Sequence, residues 1–203
     1  MTGRRSDRDP DPFTPLQDLH VGVVSTDLGL PDVGATAAGC RADGGDAARL
    51  QHAGRAPGCQ TDYPEFLHYI DDDMLGPSTN KAQFERDVSC LGALGSAGCG
   101  YEQPLEAALL ALQGANPGFL RNDEYDGLSL VAILLVTDED DCSLQSTDQL
   151  TSASTDPDCV AHKARLHDLA QRYYEGFRKL RPGREPCPGI SKTPAPSCAR
   201  SSR

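Results

Sequence analysis

Residues 128–136 read Leu-Ser-Leu-Val-Ala-Ile-Leu-Leu-Val, and the next five are Thr-Asp-Glu-Asp-Asp. An apolar run of this length, rich in Val, Ile and Leu and without polar alternation, predicts a strand buried on both faces. Such strands lie in the middle of a mainly parallel sheet with helices on either side. Open α/β sheets bind ligands at the carboxyl ends of their strands. Here that end carries Thr137, Asp138, Glu139, Asp140 and Asp141, the first place to look for a site. The run falls far short of the roughly 20 apolar residues that cross a bilayer, so no transmembrane segment is expected.

The charge is divided unevenly. Of the net −11, the part from Lys163 onward holds ten basic and three acidic residues, while the first 162 residues hold nine basic and 27 acidic. An acidic body disfavours nucleic acid, whose phosphates need clustered Lys and Arg. The basic end reads as solvated. Only 38% of the chain is hydrophobic, and Gly and Pro together number 35, which predicts a modest core and long loops.

Eight cysteines supply the second constraint: Cys40, Cys59, Cys90, Cys99, Cys142, Cys159, Cys187 and Cys198. They fall into neighbouring pairs whose members are 9 to 19 positions apart, with no Cys-x-x-Cys and no His at zinc-finger spacing. That pattern favours disulfides over zinc and an oxidising, extracytoplasmic compartment: periplasm, outer surface or exterior. Sequential pairing is expected, because each pair brackets one loop: Cys40–Cys59, Cys90–Cys99, Cys142–Cys159 and Cys187–Cys198. Closing a loop of about 18 residues contributes roughly 3 kcal/mol in the chain-entropy model. The first ten residues lack the apolar core of a signal peptide. Oxidised cysteines without an export signal lead to the expectation that the chain is part of a longer one.

Along the chain, residues 1–17 are polar and predicted to be disordered. Residues 19–27, Leu-His-Val-Gly-Val-Val-Ser-Thr-Asp, form the first expected strand, with His20 as an edge residue rather than a ligand. A long Gly- and Ala-rich connection (29–64) leads to a short strand at 66–70 and a solvated turn at Asp71, Asp72 and Asp73. Asn80 is placed to cap a helix over 81–91 with Phe84, Val88 and Leu91 on one face. Pro104 and Gly114 bracket a second helix, with Leu105, Ala108, Leu109 and Leu112 as its stripe. Asp156 and Pro157 open a third, whose inner face is Leu166, Leu169, Ala170, Tyr173, Phe177 and Leu180; His162 and His167 lie outside that stripe. One α/β domain over 18–183 is expected, followed by an irregular tail at 184–203.

Three stretches carry a resemblance to the von Willebrand factor A-type domain, in its cysteine-rich variety found in bacterial envelope and secreted proteins. Residues 19–27 resemble that family's second strand. Residues 100–109 are similar to the loop and helix that bring a metal-binding threonine. Residues 134–138, Leu-Leu-Val-Thr-Asp, are similar to the strand ending in its metal-site aspartate. The resemblance spans residues 19–182. It implies a Rossmann-like three-layer sandwich and a non-enzymatic binding or adhesion module. It also implies a Mg²⁺ or Ca²⁺ ion held by oxygen ligands, with one position left for a carboxylate from a protein or surface partner.

Carried over residue by residue, Asp138 matches the metal-site aspartate, and the threonine position falls on Gln103, or on Glu102 with a one-residue shift. The family's Asp-x-Ser-x-Ser turn does not precede His20; the nearest approach is residues 141–145, Asp-Cys-Ser-Leu-Gln. Asp140 and Asp141 stand beside Asp138 as further carboxylates. The family's first and last strands have no counterpart here, so the expected domain is incomplete and its cation site degenerate. Two other readings stand beside this one. The chain would be an inactive structural fragment, or a hydrolase whose acid–base groups lie among Asp138–Asp141. Against the hydrolase, no Gly-x-Ser-x-Gly and no phosphate loop is present.

Overall fold

A computed structural model describes residues 16–30, 33, 39–71, 79–121, 129–146, 164 and 166–180. Residues 1–15 of the segment expected to be disordered, the tail at 184–203, the cap at Asp156, and His162 lie outside the described residues, as do Asp72 and Asp73. The described residues fall into two compact units, one built from residues up to 23 with 50–97, the other from 24–49 with 98 onward.

In the first unit, strand β1 (Asp18–Val21) pairs antiparallel with β2 (Leu67–Ile70), and His20 faces His68 across the ladder. Helix α1 (Lys81–Gly92) starts where its cap predicts, since the Asn80 side chain accepts the Gln83 N–H at 3.0 Å. Its Phe84, Val88 and Leu91 stripe closes on Tyr63 and Leu67, with Val21 and Val23 beside them. Phe84 also meets Tyr69 of β2, ring centroids 5.2 Å apart.

The second unit is built mostly from loops. Its core comprises Leu30, Cys40, Cys99, Tyr101 and Cys142, with Val33 and Leu144 packed against it. Gly29 has φ +61°, and a Cβ there would meet the Arg41 carbonyl oxygen at 2.5 Å, so this turn requires glycine. Helix α2 (Pro104–Leu110) widens into a π-type turn over Ala111–Ala115, where Gly114 at φ 125° ends it. Helix α3 opens as a π-type turn (Leu169–Tyr174) and tightens over Glu175–Lys179. Gly176 is buried against Leu109 of α2, and a Cβ at 176 would lie 2.9 Å from the leucine methyls. The inner face of α3 is therefore set by Tyr173 and Gly176. Leu169 and Ala170, expected inside, are exposed.

Two expectations meet a different structure. The expected central strand has no regular secondary structure over 129–137, and Leu130, Leu134 and Val136 are 80%, 86% and 85% exposed. Among the described residues no strand flanks that run, and an apolar segment without a partner has nothing to bury against. The first expected strand stops at Val21, and the sheet among the described residues is a two-stranded antiparallel pair.

The second difference is the disulfide map. In place of Cys40–Cys59 and Cys90–Cys99, the bridges are Cys40–Cys99 and Cys59–Cys90. The pairs nest rather than follow one another, and each bridge lies inside one unit. Loop proximity in sequence loses to chain pairing in space: Cys59 and Cys90 are brought together by the α1 core, Cys40 and Cys99 by the loop core around Tyr101. Cys142 is also disulfide-bonded; its expected partner Cys159 lies outside the described residues, as do Cys187 and Cys198. Among the described residues no cysteine is free, which fits an oxidising, extracytoplasmic setting. No helix of the described residues is long and apolar enough to cross a membrane.

Candidate functional site

Side chains on a strand alternate between faces, and directly opposed residues of an antiparallel pair come closest. His20 and His68 are such a pair, and Asp18 precedes His20 by one pleat on the same face. The outcome is a group in which one ligand atom from each of Asp18, His20 and His68 lies within 4.8 Å of the others. His68 Nε2 sits 2.7 Å from Asp18 Oδ1. The His20 ring is edge-on to His68 and tilted against Phe66, both centroid separations being 4.6 Å. Asp18 and His20 are half-buried and His68 is exposed. His20, read from the sequence as an edge residue, belongs to this group. The period-2 placement of Asp18 and His20 was visible in the sequence; the register that adds His68 was not.

The stretches that carried the family resemblance meet one another in the second unit. Gln103 N–H donates to the Thr26 carbonyl at 3.0 Å, and its side-chain amide reaches the Gly29 carbonyl at 3.4 Å. Thr137 Oγ1 donates to Glu102 Oε2 at 2.8 Å, and Cys142 N–H to the Glu102 carbonyl at 2.7 Å. Gln103 is buried, Glu102 half-buried, and Asp138, Glu139 and Asp140 are exposed. Asp141 differs from its neighbours. Its carboxylate accepts the Leu105 N–H at 3.0 Å, the Ser143 hydroxyl at 2.8 Å and the Ser143 N–H at 3.3 Å. Ser143 Oγ in turn accepts the Glu106 N–H at 3.3 Å. Gln103 makes no side-chain cap, so Asp141 and Ser143 satisfy the orphan donors of the first turn of α2. Among the described residues, Glu102, Asp138, Asp140 and Asp141 form no group with converging metal-ligating atoms.

A third cluster had no signal in the sequence beyond the helix pattern around it. Glu106 is buried on α2, where a carboxylate needs a partner. Arg172 of α3 supplies it with a two-pronged contact, Nε to Oε2 at 2.9 Å and Nη2 to Oε1. This pairing holds the guanidinium still more firmly protonated. His167 approaches the same carboxylate at 4.0 Å and meets the Tyr173 ring edge-on, so it is not the solvent-facing residue its position predicts. Burial pushes the Tyr173 phenol well up from its ordinary value; its hydroxyl is buried, with Ser143 and Glu106 close by but neither in hydrogen-bonding geometry. The cluster joins α2 to α3 through charge; its carboxylate is already held by two prongs and is poorly placed to take up a ligand.

No family model matches this chain, and neither a curated protein nor a solved structure does.

Proposed function

We propose that the chain is a non-enzymatic binding module of the bacterial envelope or exterior, with a von Willebrand factor A-like α/β body and a degenerate cation site at Asp138. The observation that supports this reading most is the meeting of the three resembling stretches: Thr26 with Gln103, and Glu102 with Thr137, next to Asp138. In this reading the loops at 26–30, 102–103 and 137–141 form the binding face. Asp138 is the protein's main ligand to Mg²⁺ or Ca²⁺, Asp140 lies beside it, and Glu102 and Gln103 stand at the threonine position. Asp141 is occupied at the start of α2 and contributes little. With so few protein oxygens, the ion is held weakly and completed by water and by a carboxylate from a protein or surface partner.

The test is a Mg²⁺ and Ca²⁺ titration of the oxidised chain, followed by backbone amide spectra. The expected result is shifts confined to residues 102–103 and 137–141. Spectra that do not change there would remove the cation site. Phosphatase and glycosidase assays with and without divalent ions should stay at background, and turnover in either would overturn the non-enzymatic reading.

A further inference from the structure

We propose that Asp18, His20 and His68 form a binding site for a borderline divalent transition ion of the zinc class, separate from the hard-ion site at Asp138. The group is assembled by the strand pair itself. His20 and His68 are register partners, and Asp18 sits diagonally across from His68, opposite Ile70. Directly opposed and diagonal neighbours are the two relations within side-chain reach on one face of an antiparallel pair. The pairing is anchored beyond the strands as well: Asp71 N–H donates to the Gln17 carbonyl at 2.7 Å, and the Thr79 side chain accepts the Ile70 N–H at 2.9 Å.

Chemistry selects the ion. Two imidazole nitrogens and one carboxylate oxygen form a donor set that suits Zn²⁺ and its neighbours in the transition series. Mg²⁺ and Ca²⁺ prefer oxygen throughout. Three protein ligands leave a coordination position open, as in sites where the ion meets an outside group. The ligand atoms already lie within 4.8 Å of one another, so little rearrangement is required. The contact between His68 and Asp18 gives way when the ion enters, and any proton the imidazole carries there leaves to solvent, because a ligating nitrogen must be unprotonated. Phe66 against the His20 ring limits its rotation.

The experiment uses the full oxidised chain, without an affinity tag, and Zn²⁺ itself as the probe. Calorimetry should give one tight equivalent that millimolar Ca²⁺ does not displace. Imidazole ¹⁵N spectra of the unaltered protein should show His20 and His68 shifting while His52, which pairs with Asp62 in the same unit, stays in place. His20→Gln and His68→Gln should each weaken binding at least about tenfold, the loss seen when even an outer partner of a metal site is removed. His52→Gln should leave binding unchanged. Zn²⁺ that shifts other histidines instead, or binds the His20 and His68 variants as tightly as the parent, overturns the proposal. The spectra of the unaltered protein decide the matter even if a variant fails to fold.

Discussion

The two candidate ion sites are built in opposite ways. The acidic run at 138–141 concentrates charge along the chain, yet its carboxylates do not converge: Asp138 and Asp140 face solvent and Asp141 turns inward to α2. The Asp18, His20 and His68 group has one carboxylate and no charge run, yet its ligand atoms meet. Adjacent carboxylates repel and separate into water, whereas cross-strand register holds side chains together whatever their charge. Density of acids in a sequence is therefore a weaker sign of a site than placement on one face of a defined pair.

The comparison breaks most readily through the scaffold. Cys59–Cys90 closes a separation of 31 residues in the unit that carries the histidine group. Replacing both cysteines by serine should lower stability by about 4 kcal/mol in the chain-entropy model, read from denaturant midpoints. The same double variant should lose most Zn²⁺ affinity while leaving the amide response of 137–141 to Mg²⁺ unchanged. If both responses vanish together, the two sites do not rest on separate supports. Next in size is Glu106→Gln. Removing one member of a buried ion pair costs about 3–5 kcal/mol, but the Arg172 side chain is 34% exposed and recovers some hydration. A loss of about 2 kcal/mol in a urea titration is expected, and no loss would mean that the pair does not join α2 to α3.

What was legible follows the same division. Helix α1 was readable because its cap and its stripe are local, and both are where Asn80, Phe84, Val88 and Leu91 put them. The short strand at 67–70 and the Pro104 start of α2 were readable for the same reason. Strand register, the nesting of Cys40–Cys99 around Cys59–Cys90, and the Glu106–Arg172 pair all depend on residues 31 to 66 positions apart, which no local pattern encodes. The run at 129–137 shows the converse. Its composition predicts burial, but burial needs a partner surface, and none flanks it among the described residues.

Within the acidic run the comparison sharpens to single carboxylates. Asp141→Ala removes the acceptor of the Leu105 and Ser143 N–H groups and of the Ser143 hydroxyl. Loss of such a cap costs about 1–2 kcal/mol. Asp138→Ala, at an exposed position, should change stability by less than about 0.5 kcal/mol. Equal effects from the two, measured by thermal or urea unfolding, would show that the run acts as one charged surface after all.

The effect at Tyr173 has the opposite sign at neutral pH, and it also reports how dry the Glu106 and Asp141 surroundings are. Its hydroxyl is buried without a partner, so Tyr173→Phe should be neutral or stabilise by up to about 1 kcal/mol near pH 7. Burial raises the folded-state pKa above that of the unfolded chain. Below the ordinary tyrosine range both states hold the proton, and the group adds no pH dependence. As the pH rises into and past that range, the unfolded state releases the proton while the folded state keeps it, so stability falls with pH. Tyr173→Phe should flatten that alkaline slope. A slope that is unchanged in the variant would mean that water reaches the phenol, and that the polar cluster between α2 and α3 is as wet as the acidic run it is contrasted with.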